Sequence, residues 1–293
     1  MFYDFHTITY GKWILAGEHS VLRGHPALVF PLKKRQLSLS FYPDALLKAD
    51  FKGVHGQNMA ALFWRVLKHG YVLINHDLNK LTGHFSLDSS LPIGVGMGAS
   101  AALCVAVARW FAAQKLINIK QTYAFAHQLE HLFHGQSSGL DIRGVASDTG
   151  LYFKNQAIEP LYQTWQPVWG LSSCSQAGIT LACIERVKNL HKQQPDKAHA
   201  IDNVMEEAVL KARKALERPA SDAFAQLQHA VSLASNCFAE WGLLNDALLT
   251  HMAILQQAGA AAVKPTGSGG GGYVLSLWPT PPRPLPFEIM TLA

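Results

Sequence analysis

Charge is scarce in this sequence. Only 15% of the 293 residues are Asp, Glu, Lys or Arg, and the formal net charge is +5. The densest basic patch is Lys33-Lys34-Arg35. A nucleic-acid module needs a basic stripe or face, so that class has little support, and the thin positive surplus suits an acidic small molecule at least as well. Cys104, Cys174, Cys183 and Cys237 form no C-x-x-C pair, which removes the usual basis for a zinc ribbon or a dithiol redox centre. No apolar run approaches the roughly 20 residues needed to span a bilayer. The longest lies near residues 101–113 and is interrupted by Arg109. The opening Met-Phe-Tyr-Asp-Phe-His lacks a basic start followed by an apolar stretch. A reducing cytoplasm is therefore expected, with no membrane partner and with Cys104 and Cys237 as buried free thiols. Internal repeats and long linkers are also missing.

What the chain has is apolar text, 49% of its residues. That is enough to bury a sizeable core and excludes disorder. Residues 2–9 are rich in aromatic and β-branched types, as strands are. Lys12–Leu15 and Ala27–Leu32 are short apolar runs either side of a turn. Gln36–Tyr42 sets Leu37, Leu39 and Phe41 against Gln36, Ser38 and Ser40, the alternation of a half-buried strand. Gln57–His69 has helical spacing with Gly70 as its stop. Gly83–Asp88 reads as a strand, Ala101–Lys115 as a helix, and residues 120–134 as a helix ended by Gly135. Gly150–Lys154 and Gly178–Ile184 are strand-like. From about residue 186 to Gln257 the text is helical with breaks near Pro195, Pro219 and Gly242. Two strands follow, Ala260–Lys264 and Tyr273–Leu277, and then a proline-rich tail that is excluded from a central strand or helix. The pattern predicts an α+β fold in two lobes, residues 1–160 and 161–293.

Three segments can hold chemistry. In Pro92–Ala102, Gly94, Gly96 and Gly98 alternate and lead into a helix, whose start offers unpaired N–H groups and partial positive charge. This is a cradle for an anion such as phosphate, with the Ser100 hydroxyl beside it. A glycine-rich turn before a core helix has the same pattern. Neither the Walker A ending nor the G-x-G-x-x-G dinucleotide spacing is present. In Glu130–Asp141, two acids flank a Gly/Ser turn. One can hold Mg²⁺ and the other can accept a proton from an attacking hydroxyl. A solvated helix face and a helix cap are the plainer readings. His127, His131 and His134 share helical spacing but show no fourth ligand for a metal site. In Lys264–Tyr273, four successive glycines between two apolar strands either wrap beside a bound group or form a hairpin tip.

Taken in order, these stretches resemble the motifs of the GHMP kinase family, most closely its mevalonate kinase branch. Gly11–Leu28 is similar to the N-terminal stretch in which a Lys-bearing strand leads to Gly-Glu-His and a Gly-x-Pro-Ala turn. Pro92–Ala102 resembles the P-x-G-x-G-L-G-S-S-A-A phosphate loop. His134–Asp141 resembles H-G-N-P-S-G-x-D, and Lys264–Leu277 resembles the T-G-x-G-G-G-G strand pair. The resemblance implies a two-lobed fold with the active site in the cleft between lobes, and an ATP- and Mg²⁺-dependent kinase acting on the hydroxyl of mevalonate or a similar anionic alcohol. It implies Asp141 and Lys12 as catalytic residues. Gly94, Gly96, Met97, Gly98, Ala99, Ser100 and Ala101 would bind the ATP phosphates, and Ser100 and Glu130 would hold Mg²⁺. Glu18, His19, Gly267, Ser268 and Gly269 would lie on the substrate side. A homodimer stays open. So do another GHMP kinase, such as a phosphomevalonate or sugar kinase, and a degenerate nucleotide-binding member. The chain departs from the pattern at Tyr10, Met97, Ala99, Ser137, Ile142 and Arg143. Ala99 removes one hydroxyl from the loop, Ser137 stands where proline is commoner, and Arg143 can reach Asp141, an anionic substrate or solvent.

Overall fold

The structure is a computed structural model that describes residues 2–134, 137–176, 178–218 and 221–292. The expected break at Pro219, the stop at Gly135 and the His134 side chain lie outside the described residues. Strands and helices mix as an α+β fold requires. The chain forms two compact units. The first comprises Met1–Lys12, Pro31–Ile93 and Met97–Asp148, and the second Trp13–Phe30, Gly94–Gly96 and Thr149–Ala293.

In the first unit, strands β1 (Phe5–Ala16) and β2 (Ala27–Tyr42) pair, although both extend beyond the unit. Strand β3 (Leu47–Lys52) runs parallel to β4 (Gly83–Ser89), and β4 runs antiparallel to β2 with Leu39 opposite Leu87. Leu37, Leu39 and Phe41 are buried, as their alternation requires. Helices α1 (Gly56–Leu73), α2 (Ala99–Ala113), α3 (Thr122–His134) and α4 (Leu140–Ala146) complete the unit. Trp110 on α2 is fully buried, with the rings of Phe41, Phe85 and Phe111 centred 5.1–5.4 Å away. Burying each such ring contributes about 1.5–3 kcal/mol. Helix α1 does not stop at Gly70. It continues to Leu73 because Gly70 is a packing glycine, where a Cβ would come within 2.7 Å of the Phe111 ring. Arg109, the break in the apolar run, turns its guanidinium to Thr7 Oγ1 and the Ile8 carbonyl on β1.

In the second unit, the start of β2 pairs with β5 (Leu151–Lys154), which pairs with β6 (Ala157–Pro160). A four-stranded sheet holds β7 (Val168–Ser173), β8 (Ala262–Thr266), β9 (Tyr273–Trp278) and β10 (Met290–Leu292) in the order β10-β7-β9-β8. Strand β10 follows the last proline and occupies a sheet edge. Helices α5 (Thr180–Gln193), α6 (Pro195–Glu217), α7 (Ala223–Glu240) and α8 (Asp246–Gln257) account for the helical text. The strand expected at Gly178–Ile184 is instead the start of α5. Its buried residues Cys183 and Val187 stand four apart, which is helical spacing. Among the described residues no helix is long and apolar enough to cross a membrane.

Candidate active site

In the first unit, β1 delivers Lys12 to the start of α4. The Lys12 side chain is 3% exposed and its Nζ stands 2.9 Å from Asp141 Oδ1, whose side chain is 31% exposed. Asp141 sits in the first turn of α4, where helix polarity favours an acid. The Lys12 N–H donates to the Met97 carbonyl at 2.9 Å, so the lysine's backbone is tied to the loop before α2. Gly98 caps α2 in the left-handed region, with φ 79°. A Cβ there would lie 2.8 Å from Lys12 Cγ and 2.9 Å from Val145 Cγ1, so only glycine leaves the lysine its place. Ser100 is half-buried in the first turn of α2. Ala99, where the loop lacks a hydroxyl, is buried as part of the apolar core.

Glu130 on α3 is 1% exposed. Burial pushes its carboxyl up to about 8; the Asp141 charge adds to the shift, while a hydrogen bond from Ser137 and the Lys12 charge oppose it. Ser137 Oγ donates to Glu130 Oε2. The carboxylate that raises the Glu130 pKa from nearby is that of Asp141, so two acids share this region. Oxygen donors with more than one carboxylate are the chemistry a hard divalent cation takes. His127 uses Nε2 to donate to the Ser137 carbonyl at 2.9 Å, so that nitrogen serves the loop. Arg143 stands over the Tyr123 ring at 4.2 Å, a cation–π contact that settles which of its open directions it takes.

The residues expected on the substrate side fall in the second unit, where His19 bonds to Ser268 and Glu18 to Lys264. Glu18 Oε1 pairs with Lys264 Nζ at 2.5 Å, and both side chains are buried. Lys264 also donates to the Ile14 carbonyl at 3.3 Å and lies 5.3 Å from the Phe238 ring centre. His19 donates from Nε2 to the Ser268 carbonyl at 2.9 Å, and the Trp241 ring meets its edge. Gly267 and Gly269 have φ 97° and 78°, the left-handed backbone this turn needs. Gly96 lies beside the same turn: a Cβ on it would come 3.4 Å from the Thr266 carbonyl. Gly94 has open space around it. Sequence reasoning missed the Glu18–Lys264 pair and the Ser137 hydroxyl. The signals available were a lysine opening the last glycine motif and a serine in place of proline.

Burial holds the His19 ring down at about 4, with the Arg23 charge in the same direction; the Ser268 bond and Asp202 oppose the shift. The unfolded chain therefore gains a proton near pH 6.5 that the folded chain refuses until about pH 4. Stability from this group is complete above pH 6.5 and declines as pH falls toward 4, by at most about 3 kcal/mol. Melting temperatures measured from pH 7 to 4.5 should fall more steeply for the wild type than for His19→Asn, asparagine being among the residues that best accept the positive φ of 57° found here. Parallel curves would remove His19 as the source.

Residues 61–147 match the GHMP kinases N terminal domain. The mevalonate kinase of Pyrococcus abyssi is 27% identical, over 92% of this chain and 87% of its own. The crystal structure of L. major mevalonate kinase in complex with R-mevalonate superposes with a TM-score of 0.78 at 20% identity, covering 94% of this chain and 87% of that one. The chain thus carries a GHMP kinase N-terminal match over residues 61–147 and is similar along most of its length to mevalonate kinases. Streptococcus pneumoniae phosphomevalonate kinase, solved with phosphomevalonate and AMPPNP, is similar in fold, with a TM-score of 0.73 at 14% identity over 94% of this chain and 93% of that one. The matched segment contains the Pro92–Ala102 loop, Glu130 and Asp141.

Proposed function

We propose that this chain is a GHMP kinase that transfers the γ-phosphoryl group of ATP to the hydroxyl of mevalonate, working in the cytoplasm. The observation that carries the reading is the Lys12–Asp141 pair at 2.9 Å, tied through the Lys12 N–H to the Met97 carbonyl of the glycine loop. Phosphoryl transfer is mainly positioning and charge neutralisation. The Asp141 carboxylate accepts a hydrogen bond from the acceptor hydroxyl and takes its proton as the new O–P bond forms, the bond from the γ-phosphorus to the β–γ bridging oxygen breaks and ADP leaves. The Lys12 ammonium offsets the negative charge that gathers on that oxygen. Backbone N–H groups from Met97 to Ala101 meet the phosphate oxygens at the start of α2. Gly94 and Gly96 give the preceding chain its close turns. Glu130 and Ser100 would hold Mg²⁺. When bound, Mg²⁺ neutralises charge on the β- and γ-phosphates. Glu18 and His19 keep the substrate-side role that the resemblance implies, and their bonds to Lys264 and Ser268 hold the Gly267–Gly269 turn.

Retention of Lys12, Ser100, Glu130 and Asp141 together speaks for turnover over passive nucleotide binding. The core location of Ala99 removes the main reason for reading the loop as degenerate. ADP release with Mg²⁺, ATP and a panel of mevalonate, phosphomevalonate and galactose is expected to be fastest with mevalonate, by at least about 100-fold in kcat/KM, a gap of nearly 3 kcal/mol. Preference for another acceptor would reassign the substrate. Nucleotide binding with no acceptor turned over would sink the enzyme reading.

A further inference from the structure

Ser137 has more partners than a loop residue needs. Its Oγ donates to Glu130 Oε2 and accepts from the Gly139 N–H at 3.1 Å. Its carbonyl accepts from His127 Nε2 at 2.9 Å. His127 and Glu130 lie one turn apart on α3, and Gly139 is the N-cap of α4, two residues before Asp141. One side chain and its carbonyl therefore join the helix bearing one acid to the start of the helix bearing the other. The terminal torsion of a glutamate is broad and roughly two-fold, so burial alone leaves the carboxylate plane loosely set. A hydroxyl bonded to one oxygen, and itself held by a backbone N–H, removes that freedom.

We infer that the Ser137 hydroxyl is a positioning residue: it fixes the plane of the Glu130 carboxylate for a divalent cation and couples that carboxylate to the α4 start carrying Asp141. The inference deepens the proposed function and rests on Glu130 as the metal-holding acid. Groups that orient a metal-bound side chain typically matter 10–100-fold in metal affinity. Proline, the commoner residue here in the family pattern, has no hydroxyl to offer, so the device belongs to this chain.

The test is a calorimetric titration of Mg²⁺ into the full chain saturated with a non-hydrolysable ATP analogue, run for wild type, Ser137→Ala, Ser137→Thr and Glu130→Gln. The Mg²⁺ half-saturation of turnover is measured alongside. Ser137→Ala should weaken Mg²⁺ binding by roughly 10–100-fold. Ser137→Thr should restore it to within a few-fold, and analogue affinity without Mg²⁺ should not change. If Ser137→Ala fails to fold, Ser137→Cys, with a much weaker donor, takes its place and the same loss is expected. Wild-type Mg²⁺ affinity in Ser137→Ala with a loss in Glu130→Gln overturns this inference alone. A Thr variant as weak as the Ala variant overturns it too, because the hydroxyl would then not be the active feature. No loss in Glu130→Gln overturns the metal role of Glu130 and the inference with it.

Discussion

Asp141→Asn and Lys12→Met are each expected to lower turnover by roughly 10²–10⁴-fold, the usual contribution of a positioned proton acceptor, while the affinity for ATP stays within a few-fold of wild type. Both changes keep the size of the side chain they replace, so the buried stem of Lys12 is still filled. Neither removes the Lys12 N–H bond to Met97 or the left-handed backbone at Gly98, which shape the loop that receives phosphate. The loss should therefore appear in kcat with little change in nucleotide affinity. The two groups are joined at 2.9 Å and act on the same oxygen, so the double variant should lose far less than the product of the single losses. Rapid-quench or coupled ADP-release kinetics with calorimetric ATP binding checks each part. Turnover within about threefold of wild type in either single variant would take that residue out of the reaction and leave the kinase reading without its central pair.

The elements with strong local periods were legible in the sequence. The alternation of Gln36–Tyr42 appears as written, and in the helical stripe Met59, Phe63 and Val66 are buried and Leu62 is half-buried, because burial on one face dictates both. Strand β7 was not legible. It contains Gly170, and it exists through pairing with β9 and β10, far along the chain. Gly178–Ile184 was misread because a short apolar run has no period of its own until Val187 extends it into a helix. The two acids of the first unit were legible as a pair flanking a Gly/Ser turn, but Lys12 was legible only through family resemblance, because no local pattern links residue 12 to residue 141. The departures were the least legible. Ala99 read as a lost hydroxyl, and its core location makes it a packing residue. Ser137 read as a lost proline, and its hydrogen bonds make it a gained donor. Arg143 had several directions open, and the Tyr123 ring chose among them.

Breaking the Glu18–Lys264 pair is expected to produce the largest stability loss outside the apolar cores. Both side chains are buried and the charges meet at 2.5 Å, so removing one partner leaves the other in a poorly solvating interior. Such changes cost about 3–5 kcal/mol. Lys264→Met or Glu18→Gln alone should therefore lower the melting temperature by roughly 10 °C. Replacing both, with Lys264→Met and Glu18→Leu, should recover much of that loss, because apolar residues of similar volume remove the stranded charge. Activity should not recover in parallel. Lys264 lies two residues before Thr266, whose hydroxyl accepts from the Ile14 N–H at 3.0 Å and precedes the Gly267 turn. Glu18 precedes His19, which holds the Ser268 carbonyl. The charged pair thus fixes the two ends of one hydrogen-bonded cluster, and a hydrocarbon pair fills the same space without fixing either. Recovery of stability with turnover still depressed separates specification of the cluster from its mere stabilisation. Full recovery of both would reduce the pair to packing, and a fully stable single variant would mean that the buried charges are solvated by other groups.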